Sequence, residues 1–266
     1  MSALDAKRLL EVWEQAEELP PLQRVLLLLH AAWPHFSLDE WAEMALGRRD
    51  WHLMYLRQQL FGEQLEALAV CPACGEQLEM SFGLGQICPD GWQLAQLAQV
   101  LNQPDCAALS QAWLNPVELK LGEGMGDTSL LARAPTTADL LATRHLSRAE
   151  AYQALLARCL QWQDPSAASV SDLAEELKTQ AMQAISHADP LAEIKIDLDC
   201  PACQHAWQLD FDIAQWLWQE IADWVPRILQ QVHVLASSYG WSEQNILALS
   251  ARRRTMYLQM LGQVDT

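Results

Sequence analysis

The sequence predicts an α+β fold, mostly helical, with a small ribbon-like antiparallel sheet. Three observations predict it. The tetrapeptide Cys-Pro-Ala-Cys occurs twice, as Cys71-Pro72-Ala73-Cys74 and Cys200-Pro201-Ala202-Cys203. Apolar residues fall seven, nine and eleven positions after the first cysteine of each copy: Leu78, Met80 and Phe82, then Trp207, Leu209 and Phe211. That alternation marks a strand after each turn. Most of the remaining chain repeats its apolar residues at helical spacing, punctuated by capping residues.

Two residues between cysteines let both sulfurs point at one ion about 2.3 Å away while the intervening amides turn toward them. One pair supplies two ligands, and the second pair closes the site. Cys71, Cys74, Cys200 and Cys203 are therefore expected to hold one structural Zn²⁺ per chain. The expected sheet is zinc-ribbon-like, stapled by this four-cysteine zinc site, with all four sulfurs within about 4 Å of one another. A redox-active pair is the rival, but such motifs open a helix, and here a strand follows each. His205, two residues after Cys203, is a candidate to support the metal from outside the ligand set.

Taken in order, Leu9, Leu10 and Trp13 start a first helix that Pro20-Pro21 ends, and Leu22 to Trp33 is a second that Pro34 stops. Ser37 caps a third, with Glu40 completing a capping box. Arg48 to Leu60 is a fourth, closed by Phe61-Gly62, and Leu65 to Val70 leads into the first knuckle. Gln93 to Leu101 and Ala107 to Leu114 read as short helices. Val117 to Leu121 and Leu130 to Arg133 read as a hairpin around Gly122 to Gly126. Thr136 or Thr137 caps a helix, and Ser147 with Glu150 caps Arg148 to Leu160. Asp164 to Ser169 is a loop. Ser171 opens a helix that Asp189-Pro190 breaks, and Ala192 to Leu198 alternates into the second knuckle. Ile213 to Tyr239 is the longest helical stretch, with a seam of Ala214, Leu217, Ile221, Val225, Ile228, Val232 and Leu235. Pro226 is expected to kink or split it. Gly240 ends it, and Ser242 and Ser250 cap two last helices. This divides the chain into an N-terminal helical region (1–69), ribbon halves enclosing a mixed insertion (70–212) and a C-terminal helical arm (213–266).

The chain has 266 residues, 51% of them hydrophobic, and a formal net charge of −17, which argues against nucleic acid as a partner. No apolar run is long enough to cross a membrane, and the N-terminus lacks the basic-then-apolar order of a signal peptide. Cys88, Cys106 and Cys159 are scattered, as reduced thiols of a cytoplasmic protein would be. There is no Gly-rich phosphate loop, His-Glu-x-x-His or Gly-x-Ser-x-Gly, and the histidines are spread singly, so a non-catalytic protein is expected. Of the 12 Trp, Trp216, Trp218 and Trp224 lie on the longest helix. With Arg252, Arg253 and Arg254 on the last helix, they are candidates for a partner surface.

Several stretches together resemble the T4-family baseplate hub assembly chaperones of phage tails and phage-derived contractile injection systems. They are Leu46-Gly47-Arg48-Arg49-Asp50 with Leu56-Arg57 and Phe61-Gly62, then Ala134-Pro135-Thr136-Thr137-Ala138-Asp139-Leu140 with Leu155 to Cys159, and Asp189-Pro190 with Ala192-Glu193 before the second knuckle. The last and most specific is Val234 to Leu258, including Tyr239-Gly240-Trp241-Ser242-Glu243 and Arg252-Arg253. The resemblance covers about Leu46 to Leu261. Gln204 stands where the family often has Gly. The resemblance implies a role in building the baseplate hub, with hub or spike proteins as partners, and no known reaction. The alternatives are a zinc-ribbon nucleic-acid-binding regulator and a thiol oxidoreductase.

Overall fold

The computed structural model describes residues 4–90, 92–101, 117–120, 129–162 and 174–262. The fold is α+β, with helices predominating over small antiparallel sheets. The chain forms two compact units, Met1–Pro34 with Ile213–Thr266, and His35–Asp212. The expected three-part division is therefore redrawn. The helices before Pro34 group with the C-terminal helices, and those after it group with the two knuckles.

In the first unit, helices Ala6–Ala16 and Pro21–Ala32 pack on each other and on the 27-residue helix Ile213–Tyr239. Their buried residues are mostly aliphatic, Leu9, Leu10, Leu28 and Leu29 among them. The long helix buries Ile213, Leu217, Ile221, Val225, Ile228, Val232 and Leu235. Ile213 takes the first place on the seam instead of Ala214. Each such side chain contributes about 1.5–3 kcal/mol when fully buried. Pro226 does not split the helix. Gly240 ends it at φ +68°, and Ser242 and Ser250 cap the two helices that follow, Glu243–Leu247 and Ala251–Met260.

The second unit holds helices Leu38–Ala42 and Leu46–Phe61, then the hairpin of strands Gln64–Val70 and Gln77–Gly83. Short helices Leu84–Ile87 and Leu94–Leu101 follow. Strands Val117–Lys120, Ser129–Ala132 and Leu160–Trp162 form a three-stranded sheet. A cluster of Leu130, Ala132, Leu156, Cys159, Leu160, Ala181 and Ile185 makes a core with helices Arg148–Cys159 and Glu175–Ala188. A second hairpin, Ile194–Asp199 with Ala206–Phe211, ends the unit.

Several expectations change. Gln64–Val70 is a strand, so the region before residue 70 is not all helix. Its alternation was masked because the outward positions include apolar Leu68 and Val70, 70% and 57% exposed. The ribbon is two separate two-stranded sheets instead of one, because each knuckle folds its strand back on itself and the ladder hydrogen bonds stay within each hairpin. Leu160 leaves its helix and starts a strand. The helix expected from Ser171 begins at Glu175. The expected helix at Ala107 to Leu114, the turn at Gly122 to Gly126, the loop at Asp164 to Ser169 and Cys106 lie outside the described residues.

Candidate metal centre

The two knuckles are built alike to the hydrogen bond. The Cys71 amide donates to the Glu76 carbonyl at 2.8 Å, and Gly75 donates to the Cys71 carbonyl at 2.9 Å. In the second, Cys200 donates to His205 at 2.9 Å and Gln204 to Cys200 at 2.8 Å. The hairpins share one register, with Val70 opposite Gln77 and Asp199 opposite Ala206. Inward Leu78, Met80, Phe82, Trp207 and Leu209 are half-buried and Phe211 is buried, while the residues between them are exposed.

Each turn needs one residue in the left-handed region. Gly75 takes it at φ +78°, and Gln204 takes it at φ +59°. A side chain there costs roughly 1–2 kcal/mol through the clash of Cβ with the following carbonyl.

The turns bring Cys71, Cys74, Cys200 and Cys203 together, with all four sulfurs within 4.8 Å of one another. Sulfurs pair across the knuckles, Cys71 with Cys203 at 3.7 Å and Cys74 with Cys200 at 3.6 Å. Metal–sulfur bonds of 2.3 Å in a tetrahedron demand an edge of about 3.8 Å, so the cross-pairs already have the required separation. The first cysteine of each pair is buried and the second exposed. The donor set fits a metal ion with tetrahedral four-sulfur coordination.

Burial opposes ionisation of Cys71, but the Cys74 and Ala73 amides and the Cys74 and Cys200 sulfurs outweigh it and bring the thiol down to about 7. The Glu76 amide favours the Cys74 thiolate, but the Cys203 and Cys200 sulfurs push that thiol up to about 12. Cys203 is also raised, against the pull of the His205 amide. His205 thus serves the site through its backbone, and its exposed ring stacks on Trp207. Cys88 and Cys159 are pushed up to about 11 by burial. Cys88 lies 3.9 Å from the Met54 sulfur, and both behave as apolar core or core-edge groups.

A second constellation, not foreseen as a unit, surrounds the start of helix Leu46–Phe61. Its N-cap, Ala45, has no side-chain acceptor. Asp189 supplies one from 142 residues away, and its Oδ2 accepts the Gly47 amide at 2.8 Å. A Cβ on Gly47 would collide with Asp189 Oδ1 and lie 2.6 Å from the Ala192 amide, so the approach requires glycine. The Leu46 amide donates to the Pro135 carbonyl at 3.0 Å, and Arg49 donates to Thr137 Oγ1 at 3.1 Å. Asp139, 1% exposed, accepts from Arg133 Nη1 and Nη2 at 2.6 and 3.0 Å and from Arg158 Nε at 2.6 Å, and completes the Thr136 capping box. Farther along the helix, Arg57 donates to the Gly62 carbonyl at 2.8 Å. Proximity of the Asp189 and Thr137 stretches to this helix start has no local signal. The isolated Asp-Pro and Thr-Thr-x-Asp pieces were the visible traces.

The partner-surface candidates separate. Trp216, Trp218 and Trp224 are all half-buried, so none is an open aromatic face. Arg24 lies over the Trp218 ring, 4.9 Å from its centroid. Arg252 and Arg253 are exposed. Arg254 is 5% exposed and bonds internally to Gln231 and to the Leu249 carbonyl, so it is a structural residue and leaves the candidate surface. Helical spacing turns it inward with Leu258, which three consecutive arginines conceal in the sequence. Tyr239, Trp241 and Tyr257 form an aromatic cluster, with Tyr239 stacked on Trp241 at 4.8 Å and Trp241 edge-on to Tyr257 at 4.9 Å.

Among the described residues, no helix is long and apolar enough to cross a membrane. No protein-family model, no curated protein and no solved structure matches the chain.

Proposed function

We propose that the chain is a non-catalytic assembly chaperone or adaptor for the baseplate hub of a phage tail or a phage-derived contractile injection system. The observation that carries the reading is the composite sequence resemblance between Leu46 and Leu261. Its separate blocks have joint roles in the fold. Leu46 to Asp50, Pro135 to Asp139 and Asp189 to Ala192 meet at one helix start. Tyr239, Trp241 and Tyr257 meet in one aromatic cluster. Residues scattered through a chain but joined in space specify a shared fold better than a single motif does.

The metal in this reading is one structural Zn²⁺ per chain, held by Cys71, Cys74, Cys200 and Cys203. Four thiolates fill a tetrahedral site and leave no position for a substrate. A net charge of −17 suits a soluble cytoplasmic factor that stays off nucleic acid. The partners are hub or spike proteins. The test is co-expression of the tagged, metal-loaded chain with the hub and spike proteins of its own tail. A stable complex that survives purification is expected. Retention of none of them by folded, metal-loaded protein overturns the reading.

A further inference from the structure

The last helix, Ala251–Met260, turns Arg254 and Leu258 inward. Helical spacing sends Arg252, Met256 and Met260 to the opposite side as one row, four residues apart, with Arg253 beside it. The row covers two turns, about 12 Å of helix. Arg252 and Arg253 are exposed, Met256 is 48% exposed, and Met260, at 71%, is the most exposed large hydrophobic residue among those described. A single exposed methionine needs no account. Two in one row, flanked by two guanidinium groups, make a face. Its charge runs against the rest of the chain. Trp224 to Gly262 carries four arginines and one carboxylate, Glu243, in a chain of net charge −17. Neither Arg252 nor Arg253 has an ion-pair partner among the described residues. Both lie in the first turn of their helix, which holds no acidic residue and where the helix dipole disfavours cations, so their charge works against their own helix.

We propose that this face receives an amphipathic helix of a partner protein, with carboxylates opposite Arg252 and Arg253 and large apolar side chains against Met256 and Met260. The arginines set the sign of the guest, since a guanidinium pairs best with a carboxylate or another planar anion. The methionines set its kind. Their flexible thioethers mould to an apolar surface, and methionine and arginine are both enriched where proteins meet. Nucleic acid would engage the arginines and leave the methionines in water. A straight row two turns long is the ridge that another helix packs against. The surface keeps the exposed arginines of the sequence-predicted candidate set and replaces its tryptophans with methionines. It does not depend on the baseplate reading.

The experiment is a heteronuclear NMR titration of the metal-loaded full chain with a capped peptide of about 15 residues, long enough to be helical, with leucine and glutamate along one face. One twin carries serine for leucine, the other glutamine for glutamate. Saturable shifts at Arg252 to Met260 are expected with the first peptide, and weaker binding with each twin. Arg252→Gln with Arg253→Gln is expected to weaken binding about fivefold. Met256→Ala with Met260→Ala is expected to weaken it about tenfold. All four side chains are exposed, so these variants should fold. Met182→Ala, at a methionine 44% exposed on another helix, is expected to change nothing. No saturable shift, equal binding of either twin, or unchanged affinity in either double variant overturns the proposal. Tighter binding of a single-stranded oligonucleotide than of the peptide overturns it in favour of nucleic acid. Self-association of the free chain that Met256→Ala with Met260→Ala abolishes overturns it in favour of a second copy of this chain.

Discussion

Phe82 and Phe211 meet edge to face, with ring centroids 6.1 Å apart, and each stands eleven residues after the first cysteine of its knuckle. The two hairpins thus join at equivalent positions at the sulfurs and again at the rings. Phe211→Ala is expected to cost about 3 kcal/mol and Phe82→Ala, half-buried, about half of that. Denaturant unfolding of the metal-loaded protein checks both. A double-mutant cycle should show coupling of about 1 kcal/mol. Additive losses would mean that the rings do not support each other.

Gly75 and Gln204 occupy the same left-handed turn position, and substitutions there should act with opposite signs. Gly75→Gln is expected to destabilise the first knuckle by about 1 kcal/mol, and Gln204→Gly to stabilise the second by about 0.5 kcal/mol after the entropy of the added glycine is deducted. Competition with a chelator reads both as shifts in metal retention.

Metal uptake should release protons. At pH 8 Cys71, brought down to about 7, is mostly thiolate, while Cys74, pushed up to about 12, and the raised Cys203 remain thiols. Binding ionises Cys74 and Cys203, so affinity rises with pH and falls on acidification. Titration of the apo-protein in a weak buffer with a pH indicator measures the release. Removing the metal, or replacing any of the four cysteines with Ser, should loosen both hairpins.

Asp139 is an acid-sensitive point of the second unit. Burial works against its charge, but the hydrogen bonds from Arg133 and Arg158 hold it well below the usual carboxylate range. A depressed folded-state value stabilises the protein above the ordinary carboxylate range near pH 4, and that stability is lost as pH falls below it. Asp139→Asn is expected to cost about 3 kcal/mol at pH 7, less than a fully buried pair because Arg133 and Arg158 are partly exposed. The deficit should shrink when unfolding is measured at pH 3.

The parts legible in the sequence were those with local causes. The duplicated knuckle marked the four cysteines that converge and both alternating strands, because cysteine spacing and strand period lie within a dozen residues. Ser37, Ser147, Ser242 and Ser250 marked their helices for the same reason. What stayed hidden was made at a distance. Helix Leu46–Phe61 starts two residues before the expected Arg48 because its acceptor, Asp189, belongs to another part of the chain. Leu160–Trp162 is too short to show a period of its own and becomes a strand by pairing with Leu130 to Ala132. Burial of Arg254 depends on Gln231 and Leu249, which no reading of three adjacent arginines supplies.

The Gly47–Asp189 hydrogen bond and the cross-knuckle sulfur pairs are two clasps on nearly the same loop, since they join residues 142, 132 and 126 positions apart. Closing a flexible loop of that length costs on the order of 4 kcal/mol of chain entropy. Whichever clasp fastens first meets that cost, and the other then closes a loop already drawn shut. The metal and the helix cap should therefore raise each other's effective concentration without touching. A chain unable to seat Asp189 on its helix, such as Gly47→Ala, would lose metal more readily although every ligand remained in place.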